Sequence, residues 1–382
     1  TFQSGTFTVS CKPHETVEVN LDYKLPSISF EEYFLDISFV IKNDTSWCKA
    51  GHEVCFTQFK LPVKQLEPEM IWASSMPKVE FRETGKGLVE IEGHNFVYRF
   101  DVEKGQFDSL ELDGVELLSC PTAFNIWRAP TDNDRHVRNA WQWEEMHNAK
   151  EKLYDLKISS INPTFISITA SYSLAGPSRL PVVKYSVMWT VYGSGEIGVS
   201  VAAEVRKNIK SLPRFGMMLV MPKGFEKVTY FGRGPVSSYA DMKNASKLGL
   251  FNSTVTDEYT KYIFPQETGN HIDCRFAAVY DLEGRGLLFK GMPKFNFSSL
   301  HYTPKMLDNT PHDKDLVPLE ETVIHIDYKQ NGIGSHSCGP ELNRKYEFNE
   351  KEFVYSFVIK PIIVYGDNIV RESRKLPSMY NF

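Results

Sequence analysis

Apolar and polar side chains alternate one by one over long stretches of this chain, and a period of two marks strands with one buried face. Val17, Val19, Leu21 and Tyr23 alternate with Glu18, Asn20 and Asp22. Ile166, Ile168, Ala170, Tyr172 and Leu174 alternate with Ser167, Thr169, Ser171 and Ser173. Val183, Tyr185, Val187, Trp189 and Val191 lead into Gly193-Ser194-Gly195, and Ile197, Val199, Val201, Ala203 and Val205 follow. That pattern predicts a long antiparallel hairpin with its apolar face packed on a second layer. Further strands are expected around Thr322 to Tyr328 and Glu352 to Ile359. Only residues 139–156, with Trp141, Glu144, Glu145, Met146, Ala149 and Leu153, carry spacing that suits a helix. Strands and helices do not alternate, which excludes a doubly wound α/β fold and a (β/α)8 barrel. The expected fold class is all-β, in sandwich-type layers.

For 382 residues the expectation is two or three domains. Leu61-Pro62, Glu67-Pro68 and Met76-Pro77 interrupt the strand pattern as a linker does. Before them lie about 60 residues, fewer than the roughly 100 of a complete β-sandwich. A net charge of -5 gives no support for tracking a phosphate backbone, so nucleic acid is not an expected partner. No apolar run reaches the roughly 18 residues of a membrane span. The sequence starts at Thr1 without a signal-like segment and reads as a processed chain or a fragment. Six scattered cysteines form no C-x-x-C pair and are too few for a disulfide scaffold. Four N-x-[ST] sequons, at Asn43, Asn244, Asn252 and Asn296, leave secretion open.

Four clusters carry residue types capable of chemistry. Trp127 to His136 (Trp-Arg-Ala-Pro-Thr-Asp-Asn-Asp-Arg-His) reads first as a turn, since Pro130 ends a strand and Asp132, Asn133 and Asp134 are capping residues. Its Asp-x-Asp lacks the third ligand, glycine and distal glutamate of a calcium loop. Cys48, His52 and Cys55 offer three zinc ligands where a structural site needs four. Gly332 to Pro340 carries Ser335, His336, Ser337 and Cys338 on a glycine-rich turn, which reads as an ordinary surface turn or a ligand-facing loop rather than an equipped nucleophile. Gly232-Arg233-Gly234-Pro235, with Tyr239 and Asp241, precedes Pro265 to Asn270. There Glu267 and Asp241 are candidates for the paired carboxylates of glycoside chemistry, against the commoner role of a buried, hydrogen-bonded glutamate.

Taken in order, Ala50-Gly51-His52, Arg128 to Asp134, Gly232 to Pro235, Pro265 to Asn270 and Gly332 to Pro340 resemble the C-terminal part of the large, bacterial-type family 2 β-galactosidases. The resemblance covers nearly the whole chain. It implies a partial immunoglobulin-like sandwich over 1–65, the family's fourth domain without its opening strands, and a linker over 66–79. It further implies the small-chain domain over 80–365, a large antiparallel β-supersandwich of galactose mutarotase type, and a tail over 366–382. In that family the two catalytic glutamates lie on a (β/α)8 barrel that would precede Thr1, so no catalytic residue is expected here. No cofactor or metal is expected either, any magnesium or sodium site belonging to the barrel part. The last domain lends a loop to the active-site mouth, where an aromatic residue or a cysteine contacts sugar or aglycone. The matching position is Cys338, flanked by His336 and Ser337, with a role in shape and packing. The loop after Asp132-Asn133-Asp134 also borders substrate, which brings in Asp134 and His136. Here Arg135-His136-Val137-Arg138 departs from the small, glycine-containing version of the family. After Gly-Pro, only Tyr239 and Asp241 keep the family's pattern.

These implications make the chain a non-catalytic accessory portion of a retaining β-galactosidase. Its expected partners are a β-galactoside, a barrel-bearing part or large subunit, and further copies in an oligomer. A cytoplasmic address is implied if the chain behaves as its bacterial relatives do. Two other readings stand beside it. A mutarotase-like enzyme would draw on His271, Glu267 and Asp273. A carbohydrate-binding module would use Trp127, Trp141 and Trp143 for stacking, although core packing is favoured for those rings.

Overall fold

The structure, a computed structural model, describes residues 2–85, 87–365 and 368–378. Strands dominate it, as the alternation predicts, and the chain divides between Pro68 and Glu69 into two units.

The first unit is held by short pairings. Phe34–Val40 runs antiparallel to Glu53–Lys60, and Ile28–Ser29 pairs in parallel with Lys64–Gln65. Cross-strand partners Leu35 and Phe59, Ile37 and Thr57, and Phe39 and Cys55 share one face. Phe39 and Phe59 remain 54% and 53% exposed, and no described side chain of 2–68 is buried. The strand expected over 17–23 does not form. Its residues meet no ladder partner, and Val17, Val19 and Tyr23 stay exposed. Alternation supplies a face, but a strand also needs a neighbour.

The second unit is a layered β domain. Among the described residues, one antiparallel sheet runs in spatial order Val115–Glu116, Gln106–Leu112, Phe96–Asp101, Leu88–Glu92, Glu80–Gly85. The larger sheet starts at Cys120–Asn125 and passes through Arg214–Met221, Thr322–Gln330, Arg285–Leu300 and Glu352–Ile363. It continues through Ile197–Val205, Val183–Tyr192 and Phe165–Ala175 to Lys150–Asn162. Lys227–Gly234, Lys247–Thr254 and His271–Tyr280 complete it at one side. Inward residues of both sheets meet in one apolar core: Ile91, Tyr98, Phe100 and Phe107 from one, Ile168, Val187, Trp189 and Phe357 from the other. Phe100 and Phe107 meet Trp189 edge-on at 6.3 and 5.4 Å. Burying each such side chain contributes about 1.5–3 kcal/mol, which makes this interface the main source of stability.

The predicted hairpin is present, Val183–Tyr192 pairing with Ile197–Val205. A Cβ on Gly193 would lie 1.8 Å from the Pro77 carbonyl oxygen, and Gly195 has φ +82°. Both positions of the turn therefore demand glycine. The helix expected over 139–156 is largely overturned: it ends at Trp143 (Val137–Trp143), and Lys150–Asn162 is a strand paired along Phe165–Ala175. Leu153, Leu156 and Ile158 fit either period once strand irregularities are allowed, and the long ladder decides for the strand. Just past the unit boundary, Glu69–Ile71 pairs in parallel with Lys375–Pro377. Of the tail expected over 366–382, residues 368–378 are described.

Candidate functional site

Two loops of the second unit meet at the end of the large sheet. The first follows Cys120–Asn125, where Pro130 closes the extended run and Asp132–Asp134 forms a single 3-10 turn before the helix Val137–Trp143. The second, residues 331–340, leaves the strand Thr322–Gln330.

Two side chains, Arg128 and Asn133, tie them together, and a third, Asp241, holds the second loop from outside both. Arg128, fully buried, donates through Nη2 to Asp134 Oδ1 at 2.8 Å and Oδ2 at 3.0 Å. The same guanidinium donates to the carbonyl oxygens of Asn331 and, at 3.0 Å, Gly332. Asn133 works in both directions. Its Nδ2 donates to Gly334 O at 2.8 Å, while its Oδ1 accepts from Ser337 Oγ at 2.7 Å and from the Ser337 amide at 3.2 Å. Asp241 accepts the amides of Ile333 and Gly334 at 2.9 and 2.7 Å. Charged and bidentate contacts of this kind are the stronger class of hydrogen bond. The stretch 331–337 is thereby fixed, and the residues beyond it stand at the surface.

Of the five residues singled out in the sequence, four gather there. His336 packs against His136 with ring centroids 4.4 Å apart and planes tilted by 43°, Ser337 is half-buried against Asn133, and Cys338 is an exposed free thiol. Arg135 Nη1 donates to Ser337 O at 3.5 Å beside them. Asp134 is 1% exposed and lies beneath the loop, taking Arg128 on one side and the Thr131 amide, at 2.9 Å, on the other.

Below the clamp lies a buried polar network that the sequence reading missed. Arg214 donates through Nε and Nη2 to Asp327 Oδ2 at 3.0 and 2.6 Å and through Nη1 to Glu267 at 3.4 Å. Gln330 Nε2 bridges Glu267, Asn270 and Asp327. Burial pushes the Asp327 carboxyl up to about 6 against the pull of Arg214. Burial, and then the same guanidinium, hold the His325 ring well below the usual histidine range. A Cβ at Gly216 would lie 2.1 Å from Asp327 Oδ1, so the glycine makes room for this carboxylate. The signal was visible: His325 and Asp327 sit two apart, alternating with Ile324 and Ile326, and so face the same side of the strand.

The other candidates fall apart in space or chemistry. Glu267 faces Arg214 while Asp241 is spent on the loop amides. The three residues considered for mutarotase chemistry sit in three networks. His271 Nε2 meets Glu258 at 2.5 Å, Asp273 meets Lys294 at 2.5 Å and Arg233 at 3.0 Å, and Glu267 meets Arg214. Trp127 and Trp141 are buried and meet edge-on at 6.4 Å, so they are core rather than stacking platforms. Trp143 is exposed but lies under the Arg179 guanidinium at 4.4 Å. His52 packs edge-on against Trp47, Cys48 lies in a turn with Thr45, and Cys55 is exposed. Among the described residues, no three His, Cys, Asp or Glu side chains are grouped to hold a metal ion, and no helix is long and apolar enough to cross a membrane.

Comparison with known proteins covers both units. The profile of the family described as β-galactosidase small chain matches residues 92–359, and that described as β-galactosidase, domain 4, matches residues 1–62. The chain is 30% identical over 358 residues to a β-galactosidase of Actinobacillus pleuropneumoniae, covering 92% of this chain and 34% of that protein. It is 36% identical over 278 residues to a β-galactosidase of Staphylococcus xylosus, covering 73% of this chain and 28% of that one. The chain thus spans about a third of the length of the curated relatives it matches. Among solved structures, a galactose 1-epimerase of Lactobacillus acidophilus aligns at a TM-score of 0.36 and 11% identity, over 75% of this chain and 99% of that one. At that level the likeness carries no functional argument.

Proposed function

The chain belongs to the β-galactosidase small-chain family, and we propose that it serves as the non-catalytic C-terminal portion of a retaining β-galactosidase, completing the wall of an active site whose catalytic carboxylates lie elsewhere. The observation that carries this reading is the clamped loop. Arg128, Asn133 and Asp241 spend their hydrogen bonds on holding residues 331–337, and the residues left outward are His136, His336 and Cys338. A loop pre-ordered in this way shapes a pocket without paying ordering entropy when a sugar arrives. Asp134, buried under the loop, acts through the backbone that it and Arg128 position.

In this function the bound β-galactoside is cleaved by an acid/base and a nucleophile on a barrel-bearing partner, and the present chain supplies contacts and shape. Contacts with that partner, and with further copies in an oligomer, belong to the same proposal. The exposed thiol of Cys338 provides the test. In the assembled enzyme, a non-cleavable galactoside analogue is expected to slow alkylation of Cys338 at least tenfold and to leave Cys11 alkylation unchanged. Equal rates at Cys338 with and without the analogue contradict the proposal.

A further inference from the structure

On the outer face of the large sheet, away from the clamped loop, lies an open groove of about 700 Å3. Its floor is a cross-strand row of small side chains: Ser171 stands opposite Ser186, and Ser186 opposite Ala202. The wall is formed by Tyr154, Lys184, Glu204 and Glu352. Lys184 faces Glu204 across one strand pair, and Glu204 faces Glu352 across the next.

Two features set this face apart from an ordinary solvated surface. Glu204 and Glu352 are like charges in direct cross-strand register, an arrangement that costs stability. Functional sites are where such local conflicts are kept. All three charged side chains are exposed, and neither hydrogen bonds nor ion pairs engage their charged ends among the described residues. Beside them the Tyr154 ring is 57% exposed and held in place, its hydroxyl 3.3 Å from Ser173 Oγ and Lys152 Nζ 5.1 Å from its centroid on one face.

We propose that this groove is an accessory saccharide-binding site. A sugar ring offers vicinal hydroxyls, each both donor and acceptor, and an apolar C–H face. Two carboxylates accept from hydroxyls, an ammonium donates to them, and the tyrosine ring packs on the C–H face. The hydroxyls of Ser171 and Ser186 on the floor serve either direction. The volume lies in the range of small-molecule sites and suits a mono- or disaccharide. The row ends on Val354, 70% exposed and in register with Ala202, a single large apolar side chain where a protein partner would favour several such anchors.

Saturation-transfer NMR on the full chain tests the proposal, with galactose, glucose and lactose as probes. Saturable transfer is expected to at least one of them. It should weaken at least fivefold in Glu352→Gln and in Tyr154→Ser, and remain unchanged in Cys11→Ala, which alters only the first unit. Glu352→Gln should also raise the melting temperature slightly, since it removes the like-charge pair; this readout is independent of any ligand and confirms that the variant folds. The proposal is overturned by absence of transfer to all three sugars, by transfer unaffected in both groove variants, or by loss of transfer in Cys11→Ala. A calcium titration that perturbs Glu204 and Glu352 while sugars do not would overturn it as well, by assigning the carboxylate pair to a cation.

Discussion

Arg128 is the residue on which most of the site converges: its guanidinium has no exposed surface, and both terminal nitrogens donate to the loops while Nε finds no partner among the described residues. It faces Asp134 on one side and two loop carbonyls on the other. Arg128→Ala strips the pair and leaves the Asp134 carboxylate buried without its cation, a change that costs about 3–5 kcal/mol. Urea unfolding of the variant should show that loss in its midpoint; a loss below 1 kcal/mol would mean that the pair is relaxed away or wet. A second residue-scale effect concerns acid. Burial alone would raise the Asp273 carboxyl, but Lys294, Arg233 and Lys243 outweigh it and hold its pKa at about 2, below the usual 3.8. A pKa lowered by folding contributes stability that is complete above about pH 4 and is lost as pH falls toward 2. Screening at this partly exposed cluster reduces the contribution to about 1 kcal/mol. Asp273→Asn should therefore be less stable than the parent at pH 6, and the gap should close by pH 2; a gap independent of pH would assign the effect to packing.

At the scale of elements, the loop 331–340 depends on a side chain remote in sequence. Asp241 accepts two consecutive loop amides, each buried hydrogen bond being worth about 1 kcal/mol, more when the acceptor is charged. Asp241→Asn keeps the size and loses the charge, with one acceptor oxygen where there were two. Hydrogen exchange at Ile333 and Gly334 should accelerate about tenfold or more, while the core strand Val183–Tyr192 stays protected. Unchanged exchange at both amides would show that Arg128 and Asn133 suffice. This dependence explains what the sequence revealed and what it concealed. Strands with strict alternation, such as 183–191 and 197–205, were legible because each carries its own instruction in its period. The strand Lys150–Asn162 was not, since its apolar residues suit a helix equally well and only the ladder with Phe165–Ala175 decides. Nor was the failure of 17–23, which has the pattern and lacks the partner. The site was half legible. Motif order brought out His336, Ser337 and Cys338, but the burial of Asp134 and the two-way role of Asn133 are products of tertiary contact. Arg214, Asp327 and His325 lie on the strand face opposite the core residues Phe215, Ile324 and Ile326, and alternation alone does not say that this second face is buried as well.

For the whole molecule, the two units differ in kind. Residues 2–68 bury no described side chain, whereas 69–378 enclose a continuous core between two sheets. The charged groups near the second unit's loops are committed to holding structure: Arg128 to Asp134, Asp241 to amides, His271 to Glu258 and Glu267 to Arg214. A retaining glycosidase needs two carboxylates about 5–5.5 Å apart and open to the glycosidic bond, and these pairings supply none. The proposed function gives the chain a supporting part in β-galactoside hydrolysis, and turnover by the isolated chain tests that proposal most directly. Purified alone, the chain should release no chromophore from a chromogenic β-galactoside above the uncatalysed rate. Mixed with the barrel-bearing portion of a related β-galactosidase, it should raise that portion's turnover. Hydrolysis by the isolated chain, or a barrel portion whose activity its addition leaves unchanged, would contradict the account.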